Sequence, residues 1–357
     1  MDNTPLLLDR ASEPKMISRW FDDRSLKSVW QDAADDDGRG SAWADHVDLA
    51  RRTVNDPASL GRRPDDLARV LALAAIAGPG PVALRALSRC CGGNTALSEH
   101  AVRLQAGRIA WRLMRLFDGP EVIALLRGMN QNEPYWQRIL EYSAAGGLQS
   151  VFDEWVHVLV ESLGLVHSTP DRRAHELADE ITTALRLRTT SVAAERFRVT
   201  RGGRLDIGVH RLRSHFAASF STEKSEDERA GDRLARLRSA FNSPFWPFVL
   251  VTTSVGQEGL DFHQYCHAVV HWNLPSNPVD LEQREGRVHR YKGHAVRKNV
   301  ARTYAVDAGT SDPWQTMFEL ARNGRPDGVS DIVPYWVYEG NGQACCPPIE
   351  MTPSLTE

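Results

Sequence analysis

The sequence predicts an α/β protein in which a mainly helical region precedes a region built on a parallel sheet. In the first half of the 357 residues, apolar residues recur at the three- and four-residue spacing of amphipathic helices. Beyond about residue 196, short apolar runs alternate with helical stretches, which indicates parallel strands joined by crossovers. Two dense polar blocks, 252–261 and 283–290, each follow one of those apolar runs. Together these three observations predict the fold class.

The chain divides by its residue pattern into four parts. The first part is polar and contains an acidic, turn-rich loop at 33–41. The last part is rich in Pro, Gly and polar residues, which is typical of a poorly ordered terminus. The predicted parts are an irregular N-terminal arm at 1–60, a helical domain at 61–195, a sheet-containing lobe at 196–325 and an irregular tail at 326–357.

Amphipathic patterning predicts three helices within the helical domain, at 101–117, 148–163 and 175–187. Three tryptophans of this region, Trp111, Trp136 and Trp155, could serve as stacking platforms for bases. At helical spacing, however, large aromatic side chains are far more often part of a core. We therefore predict that these three rings lie in the interior.

Alternating elements are predicted for the lobe at 196–325. They are a helix at 225–241, strands at 248–251, 268–272 and 300–306, and a short helix at 313–321. In parallel sheets, ligands gather where strands end and loops begin. The two polar blocks follow the first two of these strands, so both are expected at one edge of the sheet, where they could share one site.

The block with the most chemical content is Gln283-x-x-Gly286-Arg287-x-x-Arg290. Two arginines three apart on a helix project from nearly the same face. Arginine stays charged and offers a rigid fork of donors that suits phosphate. A glycine just before Arg287 lets another surface come close. We predict that Arg287 and Arg290 are catalytic arginine fingers that reach toward a nucleoside triphosphate held by a neighbouring domain.

This block resembles motif VI of superfamily-two helicases, and the stretch from Thr253 to Asp261 resembles their motif V. The run from Val270 to Pro278 is similar to a strand end of the Swi/Snf branch, in which the bacterial RapA-like group is the nearest. The resemblance covers about residues 210–309. It implies a RecA-like, parallel-sheet C-terminal helicase lobe, preceded here by the mainly helical region.

The resemblance also implies the roles of the motif VI residues. Arg287 and Arg290 match the arginines that face the ATP phosphates across the interface between two lobes, while Gln283 and Gly286 belong to the same nucleotide-binding motif. The plainer interpretation is that both arginines are solvated on a helix surface, where ion pairs contribute little. The complete four-residue pattern favours the functional role.

The motif V positions carry two further implied roles. Gly259 and Asp261 match the residues that bind the nucleotide or the network between the lobes. Thr253 and Ser254 fall where motif V touches the nucleic-acid backbone, a contact that positions nucleic acid without specifying its sequence. In the plainer interpretation, Asp261 is a turn residue and the two hydroxyl residues cap the following turn.

Half of the expected ATP site is missing from the sequence. No G-x-x-x-x-G-K-[ST] phosphate loop occurs, and the Asp-Glu metal box of the family is not found either. The chain is therefore predicted to be inactive alone and to complete an ATP site, with Mg²⁺ held mainly by a phosphate-loop lobe in trans or in further sequence. DNA is expected as the nucleic-acid partner in preference to RNA. The alternative is a non-catalytic nucleic-acid-binding or regulatory protein, or a truncated helicase remnant.

Composition sets the remaining limits. A formal net charge of −3, with 42% hydrophobic and 25% charged residues, is ordinary for a soluble globular protein. It shows no global basic signature for nucleic acid, although a local groove can still be basic. No run is apolar enough to cross a bilayer, and the five cysteines form no C-x-x-C pair, so free thiols in a reducing cytoplasm are predicted. The histidines and cysteine at 263–271 do not match zinc spacing, and no metal site is predicted.

Overall fold

The chain forms two compact units, each of which combines two stretches of sequence. The first contains Met1–Thr182 with Val306–Met317, and the second contains Thr183–Ala305 with Phe318–Glu357. The computed structural model describes residues 64–126, 133–186, 190–199, 205–214, 235–251, 264–271, 274–286, 288–304, 306–307, 309–338 and 350–353, with a few positions between 45 and 56. The predicted arm at 1–60 lies almost wholly outside the described residues.

Helices build the described part of the first unit. They are α1 (Leu67–Ala77), α2 (Pro79–Cys91), α3 (His100–Phe117), α4 (Pro120–Leu126), α5 (Tyr135–Ala145), α6 (Leu148–Ser162) and α7 (Pro170–Ala184), with a 3₁₀ turn at Gly93–Ser98. Helix α2 packs against α3 and α6, and α1 packs against α5. The three helices predicted here are confirmed, although α7 begins five residues earlier than its pattern indicated.

The core of the first unit follows the apolar stripes of its helices. On α6, the buried side chains include Phe152, Trp155 and Leu159, which recur at three and four residues as one helical face requires. The Trp155 ring is 1% exposed and meets Phe152 edge to face, with ring centroids 5.6 Å apart. Trp111 is buried as well, whereas Trp136 is only half-buried. The interior position is thus confirmed for two of the three tryptophans.

No single helix among the described residues has both the length and the apolar character needed to cross a membrane. Helices α1 and α2, which meet at a bend of 41°, would meet that requirement only when taken together.

The second unit mixes strands and helices. Its elements are β1 (Thr190–Val199), β2 (Leu205–Ser214), the helix α8 at 235–241, β3 (Ala268–His271), α9 (Pro278–Gly286), α10 (His294–Thr303), α11 (Pro313–Asn323, which starts in the first unit), α12 (Val333–Trp336) and β4 (Glu350–Pro353). Strands β1 and β2 form an antiparallel hairpin in which Thr190 lies opposite Ser214. Strand β3 pairs in parallel with β4, and Ala268 lies opposite Glu350.

Two of the predicted strands are wrong. Residues 300–303 belong to α10, because Val296 and Val300 are buried at the four-residue spacing of a helix. Residues 248–251 form neither helix nor strand, and Phe248, Val249 and Val251 are exposed rather than buried. The strand predicted at 268–272 and the helix predicted at 313–321 are confirmed as β3 and α11. The described part of the predicted helix at 225–241 is helical as well.

The RecA-like sheet itself remains a prediction. Within the described residues, the parallel pairing is that of β3 with β4, and the residues before and after it include the undescribed stretch 252–263. The proposed domain boundaries also remain predictions. The segment 326–357, predicted as an irregular tail, contains α12 and β4.

Candidate functional site

Strand β3 and helix α9 carry the chain toward the arginine motif. Helix α9 begins after Asn277, whose side-chain oxygen accepts a hydrogen bond from the backbone N–H of Val279 at 3.1 Å. Pro278 occupies the first helical position, where its fixed φ suits the helix and its missing N–H costs nothing. The dipeptide Asn277-Pro278 thus sets where the helix starts, and so where the motif falls on it.

The buried imidazole of His271 links the end of β3 to α9. His271 is 5% exposed, and its Nε2 lies 4.0 Å from Oε1 of Glu285. Glu285 is the neighbour of Gly286, the last residue of α9. This distance is too long for a hydrogen bond, but it places the C-terminal turn of α9 near the end of β3.

Two of the predicted motif VI residues lie on α9. Gln283 is exposed on this helix, and Gly286 is exposed at its end. A Cβ added to Gly286 would meet nothing within 4 Å. The described packing of this chain therefore does not require a glycine at position 286.

Arg290 does not lie on the helix, which corrects the sequence-based expectation. Helix α9 ends at Gly286, and the chain turns so that Val288 is buried and Arg290 is exposed. The turn closes with a hydrogen bond from the N–H of Gly293 to the carbonyl of Arg290 at 2.9 Å. A Cβ on Gly293 would lie 3.1 Å from that carbonyl oxygen, so the tight turn favours glycine.

Lys292 stabilises this turn through its backbone N–H and its buried side chain. It is 6% exposed, and its backbone N–H donates to the carbonyl of Tyr335 at 2.6 Å. Its ammonium lies 4.4 Å from the ring centroid of Phe318, 5.4 Å from that of Tyr335 and 5.6 Å from that of Tyr291. A desolvated cation over aromatic faces is attracted by their quadrupoles. Lys292 also has a φ of +48°, so the backbone is held in a left-handed turn by these contacts.

A second buried cation supports Lys292. The side chain of Arg297 is 1% exposed and donates to the carbonyls of Lys292 and Gln264, each at 2.7 Å. Its guanidinium carbon lies 5.1 Å from the centroid of the Tyr265 ring. The turn that carries Arg290 is thus tied to the segment before β3 as well as to α12.

The segment containing α12 completes the support. The ring Nε2 of His289 lies 3.0 Å from the carbonyl oxygen of Trp336, and the side-chain amide of Asn299 donates to the carbonyl of Tyr338 at 2.9 Å. Sequence reasoning missed all of these supporting residues. The available signal was the run Tyr291-Lys292-Gly293, in which a cation and a glycine follow an aromatic residue directly after the motif.

The protonation state of His294 affects the charge around Arg297. Burial, together with the nearby charges of Arg297, His267 and Lys298, lowers the pKa of His294 to about 4. Its ring lies 5.2 Å from that of His267 and 5.8 Å from that of Tyr265, measured between centroids. At neutral pH His294 is therefore uncharged, and it adds no positive charge beside Arg297.

The remaining predicted site residues lie outside the described residues. They are Arg287 of motif VI and the four motif V residues Thr253, Ser254, Gly259 and Asp261. Their roles stay predictions. Of the predicted nucleotide-facing set, the structure thus places Gln283, Gly286 and Arg290 in one short stretch and gives the physical basis for the position of Arg290.

This arrangement can present one guanidinium to an anion. Arg290 is exposed at the tip of a turn whose backbone is fixed by bonds from both sides. A guanidinium is always charged and offers a planar fork of donors, so it can stabilise negative charge on a bound anion. The described residues contain no group of three or more His, Cys, Asp or Glu side chains that could hold a metal ion.

Known proteins match the part of the chain that contains the predicted site residues. Residues 210–292 match the family model described as "Helicase conserved C-terminal domain", which covers less than a quarter of the chain and includes all the predicted site residues. The chain is also 48% identical over 42 residues to the uncharacterized ATP-dependent helicase YqhH of Bacillus subtilis (strain 168), a stretch that is 12% of this chain and 7% of that protein. No solved structure matches the chain. These comparisons support a helicase C-terminal domain at residues 210–292.

Proposed function

We propose that this chain is the C-terminal lobe of a cytoplasmic, ATP-dependent nucleic-acid helicase or translocase of the Swi/Snf, RapA-like type. In this proposal it supplies motifs V and VI to an ATP site whose phosphate loop lies elsewhere. The helicase C-terminal match over 210–292 and the ATP-dependent helicase relative support the coarse assignment. The subfamily rests on the similarity of the run from Val270 to Pro278.

The observation that carries the proposal is the helicase C-terminal match over 210–292, which contains the whole pattern from Gln283 to Arg290. Arg297 donates to two backbone carbonyls of its own fold. Arg290 instead presents its side chain to solvent. Phosphoryl transfer needs such a cation supplied from outside the phosphate-binding lobe, where it stabilises charge in the transition state.

Each predicted residue has a part in this mechanism. Arg287 and Arg290 stabilise the transferring phosphoryl group when ATP closes the two lobes, and Gly286 leaves room for that approach. A phosphate-loop lobe would hold Mg²⁺, whose charge would neutralise the oxygens of the β- and γ-phosphates. Within this chain, the described residues support the arginine side of the site and not the metal side.

The motif V residues would complete the site. Gly259 and Asp261 would line the nucleotide or the contact between the lobes, and Thr253 and Ser254 would hold the nucleic-acid backbone. Backbone contacts of this kind follow the strand without discriminating its sequence, as a motor that moves along nucleic acid requires. We propose DNA, in preference to RNA, as the nucleic acid that these residues bind.

ATP hydrolysis tests the proposal directly. It is measured for the purified chain alone and for the chain mixed with a separately purified phosphate-loop lobe of an ATP-dependent helicase, each with and without DNA. We expect no turnover by the chain alone and DNA-stimulated turnover by the mixture. Arg290→Ala should lower that turnover about a thousandfold, because a finger arginine contributes on that scale.

A matched arginine provides the control. Arg322 is also exposed and lies on α11, so Arg322→Ala removes the same charge away from the motif and should leave turnover within about twofold. Equal turnover for wild type and Arg290→Ala would refute the finger role. A mixture that binds DNA but never hydrolyses ATP would favour the non-catalytic alternative.

A further inference from the structure

Two large aromatic rings lie exposed beside Arg290. Tyr291 is 48% exposed and Trp336 is 43% exposed, and their ring centroids are 5.9 Å apart with the planes at 67°. We call Arg290, Tyr291 and Trp336 the aromatic ledge. Isolated exposed apolar residues are common, but two adjoining aromatic rings next to an exposed cation form a surface suited to a ligand.

The rings of the ledge are held in place from below. Tyr291 stacks on Tyr335 at 5.6 Å between centroids, and Tyr335 stacks on buried Phe318 at 5.5 Å. The ammonium of Lys292 lies against all three of these rings. A ligand that met Tyr291 would therefore meet a ring whose conformational freedom is already reduced, which lowers the entropic cost of binding.

Trp336 is held through its backbone. Its carbonyl oxygen lies 3.0 Å from Nε2 of His289, the residue just before Arg290. The backbone segments that carry Arg290 and Trp336 are thus joined, although the two residues are 46 positions apart in sequence.

The chemistry of the ledge fits a nucleobase that carries a phosphate. Flat aromatic side chains stack on bases of any sequence, since every base offers a π face, and arginine binds phosphate through its planar fork. We propose that a nucleobase stacks on the face of one of these two rings and meets the other ring at its edge, while Arg290 binds the attached phosphate. This inference rests on the proposed function, because both place Arg290 against phosphate. A free nucleotide and a single-stranded nucleic acid share this chemistry, and the binding experiment separates them.

Binding to the full chain measures the role of the rings. The two probes are a fluorescent ATP analogue and a labelled single-stranded DNA oligonucleotide, followed by anisotropy at fixed salt. Tyr291→Ala and Trp336→Ala should each weaken binding of the probe that uses the ledge by about tenfold, the scale of one lost base stack. Tyr291→Phe keeps the ring and should bind within about twofold of wild type.

Tyr142→Ala is the matched control for loss of an exposed aromatic ring. Tyr142 is 40% exposed on α5, in the other unit, and its removal should leave binding unchanged. Trp336→Ala keeps the inference testable if Tyr291→Ala disturbs the packing of Lys292. Circular dichroism of each variant verifies that it is folded.

A second probe pair needs no mutation at the rings. An oligonucleotide with abasic sites, or ribose 5-phosphate in place of the nucleotide, keeps the phosphate and removes the base. For whichever ligand binds the ledge, nucleotide or single-stranded DNA, we expect the base-free probe to bind the wild-type chain about tenfold more weakly than the base-bearing probe. The base-free probe should bind Tyr291→Ala and wild type equally well.

The outcomes separate this inference from the proposed function. Binding that Arg290→Ala weakens, but that is equal for wild type, Tyr291→Ala and Trp336→Ala, overturns the ledge and leaves the arginine role intact. Loss of binding in the ring variants for base-bearing and base-free probes alike also overturns base stacking. A wild-type chain that binds neither nucleotide nor DNA overturns the ledge and removes support from the nucleic-acid role as well.

Discussion

Replacing Arg297 with methionine should loosen the turn that carries Arg290. The guanidinium is 1% exposed and donates to the carbonyls of Lys292 and Gln264, each at 2.7 Å. Methionine keeps an unbranched apolar stem but is shorter than arginine and provides no donor for either oxygen. Hydrogen bonds from a charged donor contribute about 1.5–3 kcal/mol each. Since the guanidinium also costs free energy to bury, part of that sum is offset, and we expect a net local loss of about 3 kcal/mol.

Amide hydrogen exchange of residues 288–298 is the appropriate measurement. The chain has two compact units, so global unfolding need not be a single transition, whereas exchange reports local opening. A loss of about 3 kcal/mol corresponds to exchange roughly 150 times faster. Lys298→Met is the matched control, because it removes the neighbouring, exposed cation of the same helix and should change exchange by less than about threefold. Exchange in Arg297→Met within threefold of wild type would refute the reasoning.

Two further predictions concern pH and the first core. Burial lowers the pKa of His294 to about 4 from an ordinary value of 6.5, so between these pH values the unfolded chain binds more protons than the folded chain. Stability should therefore fall as pH drops from 6.5 to 4, by at most about 1.4 kcal/mol per pH unit, and thermal unfolding of His294→Gln should lack this contribution. An unchanged pH dependence in that variant would contradict the assignment. Trp155→Ala should cost about 3–5 kcal/mol in urea unfolding followed by helical circular dichroism, against about 1 kcal/mol or less for Leu163→Ala, which is 40% exposed. Equal losses for the two variants would show that Trp155 is not a core residue.

Local sequence patterns predicted much of the secondary structure. The apolar stripe at 148–163 became α6, because three- and four-residue spacing places side chains on one helical face whatever the rest of the chain does. Asn277-Pro278 begins α9 through a side-chain cap and a fixed φ, a local signal that the sequence analysis did not use.

Local patterns gave wrong predictions where the same residue types suit either a strand or a helix. The run 300–306 has the apolar residues of a strand, yet its first part is the end of α10, because Val296 and Val300 bury one helical face. A short apolar run does not distinguish a strand from a buried helix by periodicity alone. The prediction that Arg290 lies on a helix was also wrong, because helix α9 ends at Gly286, before Arg290 is reached.

The sequence by itself determined the candidate residues of the site and predicted their chemistry. It predicts that Gln283, Gly286, Arg287 and Arg290 form a phosphate-facing motif, because residue types and spacing are local properties, and the helicase C-terminal match covers the same stretch. The same reading also showed that the phosphate loop is absent from these 357 residues.

Only the tertiary structure decided how Arg290 is held and what lies beside it. The turn is fixed by Gln264 on one side and by Tyr335 and Trp336 on the other, residues that are distant in sequence. Hydrogen bonds to backbone carbonyls leave no trace in residue type at the accepting position, because every residue offers the same oxygen. The burial of Lys292 and Arg297, and the exposure of Tyr291 with Trp336, therefore follow from the packing of separate segments and not from any pattern along the chain.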